Sequence, residues 1–462
     1  MANYLMERRS YMAARPSASV INLFSIGETG FQLMMYLAVT YYAYFLTDVA
    51  AVGAATAGTI LLIARIGDAI SVPIAGAVIE KTNPRWGKYR SWLLMAPPVT
   101  AILFILMFTN FSAMNTAAKA VVLGILYVCA HFSVNLAWSA QTALIPVIGV
   151  EQEDRVALSS RRQQAVSAAQ ILLGIIAMPM VITLGGGNEA RGFFLTVTVF
   201  AILQVLGYRL MARVSKPWVV DLQTEAKQTV TLRDMLKQIF SNKYLLIFFM
   251  VEVCILTARY MILGLNVYYF KYVAQNMMLS SAFFTVVSVG MLVGSFAGGL
   301  LAKKATKKQI YVSGLSFEVI CFALMWVVAE NPIAFIALNG LVSFGTGLAN
   351  SVMYAVYADI SEYSEWKTGK NAKGLIMSLS ALPIKIGVAL SGAIIGFSLA
   401  AIGYVAGAEP TAELTRSIIL VASMVPGSIA ALALVGVFFY RLDEKRVQKI
   451  RQEIQARKSA AA

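Results

Sequence analysis

Apolar residues fall in long runs separated by short polar breaks, at 20–46, 57–79, 92–111, 117–149, 164–184, 192–212, 244–270, 280–302, 309–329, 332–358, 374–403 and 415–440. Each run has about the 20 residues that an α-helix needs to cross a bilayer. Inside lipid every backbone polar group must be satisfied within its own segment, so each run predicts a helix. The expected fold class is an all-α membrane protein with twelve transmembrane helices.

The longest polar break, 213–243, carries Lys216, Pro217, Asp221, Glu225, Lys227, Arg233 and Asp234. It divides the runs six and six. The expected organisation is an N-terminal segment 1–19, a six-helix bundle 20–212, a middle loop 213–243, a second six-helix bundle 244–440 and a tail 441–462. Two six-helix bundles joined by a long middle loop is the layout of the major facilitator fold. Basic clusters after the second run (Lys81 to Arg90) and the eighth (Lys303 to Lys308) hint at an internal repeat.

Composition strengthens the membrane assignment. The chain is 59% hydrophobic and 13% charged, with mean hydropathy +0.71, whereas soluble domains carry about 25% charged residues. The net charge of +15 would suggest nucleic acid on a soluble protein. Here the cations occupy alternate connections: Arg8, Arg9 and Arg15; Lys81, Arg85, Lys88 and Arg90; Arg155, Arg161 and Arg162; Lys303, Lys304, Lys307 and Lys308; Lys367, Lys370 and Lys373; and the tail from Arg441. The opposite connections hold only Lys119, Arg191, Lys271 and Arg416. By the positive-inside rule both termini face the cytoplasm of a bacterial inner membrane. The charge then meets anionic lipid headgroups, and no nucleic-acid partner is expected.

Several chemistries are excluded. Cys129, Cys254 and Cys321 lie inside apolar runs without metal spacing and read as small buried hydrophobes. His131 is the sole histidine and has no carboxylate near it in sequence, so neither a histidine metal site nor a catalytic triad is supported. Gly185-Gly186-Gly187 lacks the lysine and hydroxyl of a phosphate loop, so ATP is not the energy source and no ATPase subunit is implied. No enzyme, cofactor or cleavable signal peptide is expected.

Charges inside the apolar runs are costly, about 2.5–3.5 kcal/mol each. Glu28, Arg65, Asp68, Glu252, Arg259 and Lys385 stand out. Arg65 and Asp68 are three apart and Glu28 and Gln32 four apart, so each pair shares a helix face. Glu252 and Arg259, seven apart, share one too. Such groups either pair between helices and fix the bundle, or bind solute and coupling ion. Tyr36, Tyr41, Tyr268, Tyr269 and Trp138 can stack on a sugar ring, or serve packing and membrane interfaces. Gly294 to Gly299 and Gly340 to Gly347 allow helices to approach closely.

Several stretches share one order and spacing: Thr47-Asp48-Val49; Arg65-Ile66-Gly67-Asp68; Arg85-Trp86-Gly87-Lys88-Tyr89-Arg90; Tyr268-Tyr269-Phe270-Lys271; Ala358-Asp359-Ile360-Ser361-Glu362-Tyr363-Ser364-Glu365; and Ile402-Gly403-Tyr404. Together they resemble the glycoside–pentoside–hexuronide:cation symporters, from about residue 25 to 440. The resemblance implies a sugar site near the membrane centre with a cation beside it. The family's paired aspartates correspond to Asp68 and Val72, so the second is lost. A sodium ion wants several hard oxygen ligands and valine supplies none, which favours a proton over sodium as the coupling ion. Other positions carried over are Gln32 and Asn135, where the family has carboxylates, with Arg162 (or Arg161) and Lys385. Loss of acidic positions beside Arg162, Arg259 and Lys385 leans the solute toward an anionic glycoside such as a uronide or sulfosugar.

The expected function is therefore cation-coupled symport of a small sugar or glycoside across the bilayer. Glu28, Gln32, Asn135, Trp138, Arg162, Arg259, Tyr268 and Lys385 are the candidate solute residues, and Asp68 and Glu252 the candidate coupling residues. Arg85 and Arg90, with Asp359, Glu362 and Glu365, are candidate gating charges, the acidic group pairing with the basic loops at 85–90 and 155–162. Uncoupled facilitation, carriage of an amphiphile or lysolipid, and sensing without transport remain the alternatives.

Overall fold

The computed structural model describes residues 15–82, 84–149, 152–218, 241–369, 376 and 379–461. Most of the predicted middle loop and the start of the eleventh run lie outside these. The described helices are α1 (Ala18–Tyr44), α2 (Ala54–Lys81), α3 (Arg90–Met107), α4 (Thr116–Ile148), α5 (Gln152–Gly185), α6 (Glu189–Val214), α7 (Lys243–Tyr268), α8 (Leu279–Leu301), α9 (Lys307–Val328), α10 (Pro332–Thr368), α11 (Leu382–Ala401), α12 (Ala412–Phe439) and α13 (Glu444–Ala461). Eleven are long and apolar enough to span a membrane. Of the other two, α13 is strongly charged, and α1 carries Glu28, Gln32 and several tyrosines, which lower its hydropathy. The chain is an all-helical, multi-pass membrane protein. It divides into two compact units, one holding α1–α6 and the other α7–α13.

Polar residues at the ends of the apolar runs start the helices. Ser17, Asn115, Asn188, Asn242, Asn331 and Thr411 each accept a hydrogen bond from a backbone N–H of the first turn. Thr306 and Gln309 form a reciprocal capping box at α9. These bonds satisfy donors that lipid could not.

Three boundaries differ from the hydropathy reading. α5 begins at Gln152, twelve residues before the apolar run at 164, so Arg161 and Arg162 sit on helix. α10 runs on to Thr368, so Asp359, Glu362 and Glu365 are helical and not in a following loop, and Gly369 ends the helix with φ 69°. The tail forms α13. Hydropathy finds where a helix leaves lipid, while the backbone hydrogen bonding continues into the polar flank.

An internal repeat is visible at the first helix of each unit. α1 runs into a π-helical turn, Phe45–Val49, and α7 into another, Tyr269–Val273. The amide of Ala50 donates to the Phe45 carbonyl and that of Val52 to Leu46, matching Ala274 to Tyr269 and Asn276 to Phe270. Each turn is followed by a non-glycine residue with positive φ, Ala51 at 55° and Gln275 at 50°. The same uncommon termination in both halves fits a duplicated six-helix unit.

Backbone contact between α1 and α6 fixes the first unit. A Cβ on Gly207 would collide with the Gly27 carbonyl, and one on Gly30 with the backbone at Leu203. Replacing Gly207 with Ala is expected to destabilise the protein by about 1–3 kcal/mol, the usual cost of overpacking. A clear fall in melting temperature in detergent would show it; an unchanged melt would mean that the two backbones are free to part.

Candidate functional site

The close approach of α1 and α6 holds Glu28 in the interior, 1% exposed. Arg162 of α5 meets it with a bidentate fork, Nε to Oε2 at 2.5 Å and a terminal nitrogen to Oε1 at 2.9 Å. Gln32, one turn along α1, donates from Nε2 to Glu28 Oε1 at 3.0 Å. The geometry separates the two candidate arginines, since Arg161 is exposed and donates to Gln164 instead. Tyr208 of α6 lies within electrostatic range of Glu28 and Arg162, and its hydroxyl has no hydrogen-bond partner among the described residues.

A second cluster joins α2 to α4. Asn135 Nδ2 donates to Asp68 Oδ1 and to Ser71 Oγ, each at 2.6 Å, while Ser71 Oγ donates to the Asp68 carbonyl at 2.7 Å. The roles follow from donor counting. Ser71 spends its only hydrogen on that carbonyl, so its oxygen must accept. Asp68 ionised can only accept, so Asn135 must turn its amide nitrogen toward both. Arg65 stands 3.8 Å from Asp68 Oδ2 and lies over the Tyr127 ring at 5.2 Å. Tyr127 in turn stacks on His131 at 4.2 Å, with His131 Nδ1 3.0 Å from the Tyr127 carbonyl oxygen. These contacts give that histidine a packing role. Trp138 sits half-buried on α4, one turn from Asn135.

The second unit places its charges in two rungs seven residues apart. Glu252 of α7, 4% exposed, accepts from the Tyr311 hydroxyl of α9 at 2.7 Å. Arg259 of α7 lies within electrostatic reach of Glu318 of α9. Glu318 is 2% exposed, packed against Gly345, and its Oε1 has no hydrogen-bond partner among the described residues. Sequence reading passed over Glu318, although a lone carboxyl in the run 309–329 obeys the same rule that singled out Glu252. The expected company of Glu252 and Arg259 is also revised, because each faces its own partner on α9. Lys385 lies half-buried on α11.

Two further expectations change. Tyr268 is fully buried, its ring edge-to-face with Tyr404 at 5.6 Å. Tyr404 also donates to the Tyr272 hydroxyl at 2.9 Å. A ring enclosed in this way offers no open face for a sugar to stack on. Asp359 and Glu362 of α10 meet basic partners within their own unit. Asp359 pairs with Lys307 and, at 3.4 Å, with Arg451 of α13; Glu362 binds Arg451 at 2.5 Å. Trp366 donates to Glu453 at 2.5 Å and Arg457 to the Trp366 carbonyl at 2.9 Å. The bond to Glu362, outweighing partial burial, holds the Arg451 guanidinium above its ordinary pKa. Glu365 sits half-buried beside them on α10. In the first unit Arg90 donates to the Ala212 carbonyl at 2.7 Å, and Arg85 lies over the Trp86 ring at 5.0 Å.

Among the described residues no group of three or more His, Cys, Asp or Glu side chains can hold a metal ion. What the arrangement offers is buried carboxyls, each with a different partner, and arginines whose forks suit oxyanions.

Comparison with known proteins agrees with this reading. A family profile described as MFS/sugar transport protein matches residues 23–444. The chain is 28% identical to the isoprimeverose transporter of Lactiplantibacillus pentosus, over 91% of this chain and 88% of that one. It is 27% identical to a glucuronide carrier protein homolog of Escherichia coli, over 94% and 95%. Among solved structures, a bacterial homolog to the human lysosomal transporter Spinster superposes with a TM-score of 0.68 at 11% identity, covering 92% of this chain and 98% of that one. That likeness is one of fold.

Proposed function

The chain belongs to the MFS/sugar transport protein family, and from that membership we propose a proton-coupled symporter of a sugar or glycoside, with a preference for an anionic one. It is a transporter and not an enzyme. The observation that carries the proton reading is the environment of Asp68. Asn135 presents amide N–H groups to it and Val72 fills the place one turn on. An amide and a valine at these two positions favour protonation over assembly of a sodium shell, since a single carboxyl can take a proton without a coordination shell. Glu252, whose hydrogen bond is to a neutral tyrosine, is the matching group in the second unit.

The anionic preference rests on Arg259. The buried carboxyl of Glu318 lies within its electrostatic range, and the guanidinium fork suits a solute carboxylate or sulfonate. Arg162 is already committed to Glu28, so it orders the site more than it binds solute. The glucuronide carrier homolog supports the same preference, and the isoprimeverose transporter supports sugar transport more broadly. Both termini face the cytoplasm in this reading, which the alternation of basic connections supports. In that orientation Asp359, Glu362 and Glu365 lie at the cytoplasmic end of α10, and the release of Asp359 and Glu362 from Lys307 and Arg451 is the proposed gating step.

The test is uptake by the purified chain in proteoliposomes, with a proton gradient or a sodium gradient imposed and a hexuronide or a neutral glycoside supplied. Proton-driven accumulation of the hexuronide is expected. Accumulation driven by sodium alone would overturn the coupling assignment. Equilibration without accumulation under either gradient would establish the facilitator instead.

A further inference from the structure

Beside the Asp68 cluster the first unit carries a groove of about 650 Å3, walled by α2, α3 and α4. That size falls within the roughly 300–1,000 Å3 of pockets that hold small molecules. Its rim is formed by Ile70 and Ile74 on α2 and by Met95 and Val99 on α3, all exposed. On a membrane-spanning bundle those side chains meet lipid.

Two features set the groove apart from ordinary lipid-facing surface. The first is charge at one end. The connection between α2 and α3 lies toward the end of the groove marked by Ile74 and Trp92, because those helices are two of its walls. Lys81 is seven residues beyond Ile74, about 10 Å along the helix, and Arg85 and Trp86 are exposed in the loop itself. Lys88 and Arg90 follow. Trp92, at the same end of the groove, has an indole N–H without a hydrogen-bond partner among the described residues. The second feature is the floor. Ser71 lines the groove, and its oxygen also accepts from Asn135 in the Asp68 cluster.

We propose that this groove binds one anionic phospholipid, with an acyl chain between α2, α3 and α4 and the phosphate against Lys81 and Arg85. The apolar trough suits the chain, and the basic loop toward its end suits a negative headgroup. A zwitterionic lipid would gain little from the loop, and a second copy of the chain would bring basic residues of its own. Because the occupant rests on Ser71, its presence supports the geometry of Asn135 and Asp68 from behind.

Native mass spectrometry tests this on the full chain, purified in mild detergent with equal amounts of phosphatidylglycerol and phosphatidylethanolamine. One retained phosphatidylglycerol per chain is expected, in clear excess over phosphatidylethanolamine. A near-surface cation contributes about fivefold in affinity, so Lys81→Gln with Arg85→Gln is expected to lower phosphatidylglycerol retention about 25-fold and leave the other lipid unchanged. Val99→Trp fills the mouth of the groove and is expected to abolish retention. Ile102→Trp, equally outward on α3 but outside the groove, is expected to preserve it. Equal retention of both lipids by the unmodified chain, or phosphatidylglycerol held by Val99→Trp as well as by Ile102→Trp, would overturn the proposal. So would a dimer in place of the lipid adduct. These readouts do not involve the transported solute and stand apart from the proton assignment.

Discussion

Replacing Asp68 with Asn is expected to lower solute accumulation from about tenfold to about onefold under a one-unit pH gradient, because one pH unit stores about 1.4 kcal/mol per proton carried. Exchange of solute across the membrane should persist, since Asn keeps the size of the side chain and a hydrogen-bonding oxygen for Asn135. A companion substitution tests the same site in the other direction. Val72→Asp adds a carboxylate one helical turn from Asp68, on the same face. With two carboxylates and the Ser71 oxygen close together, sodium-stimulated uptake should appear where the unmodified chain is expected to show none. Counterflow and gradient-driven uptake in the same proteoliposomes separate the two effects. Full accumulation by Asp68→Asn would remove Asp68 from the coupling mechanism.

The second large effect concerns Glu28 and Arg162. Removing one member of a buried ion pair leaves an uncompensated charge and typically costs about 3–5 kcal/mol. Arg162→Gln should therefore give a chain that melts far lower in detergent or fails to accumulate in the membrane. Glu28→Gln with Arg162→Gln removes both charges, and Gln32 can still hydrogen-bond the new amide. The double variant should regain most of the stability while transport stays impaired. If the single and double variants melt alike, the bidentate contact does not carry the stability of the first unit.

The residues that could be read from the chain are those whose signal is local. Asp68 and Arg65 are a charged pair in an apolar run, and Glu28 with Gln32 shows one-turn spacing; both were legible without coordinates. Asn135 reached its place beside Asp68 only through the family resemblance, because its partner lies 67 residues away in sequence. The division of labour between Arg161 and Arg162 was not legible, since adjacent helical positions differ by about 100° and only packing decides which one turns inward. Tyr311 looks like an ordinary aromatic in an apolar run, yet it is the hydrogen-bond partner of Glu252. The tail helix escaped notice because its sequence is mostly charged, although Val447, Ile450 and Ile454 fall on one face and the first two are buried in the core of the second unit.

The double claim on Asp359 has a bearing on how the chain is assembled. Arg451 follows Asp359 by 92 residues, an interval of about 5–18 s at synthesis rates of roughly 5–20 residues per second. During that interval a buried carboxylate at the end of α10 would have no tail to lean on. Lys307 has already left the ribosome by then and can neutralise it alone. The lysine thus acts as a placeholder for the nascent half, and the late arrival of Arg451 marks the moment when the second unit is complete.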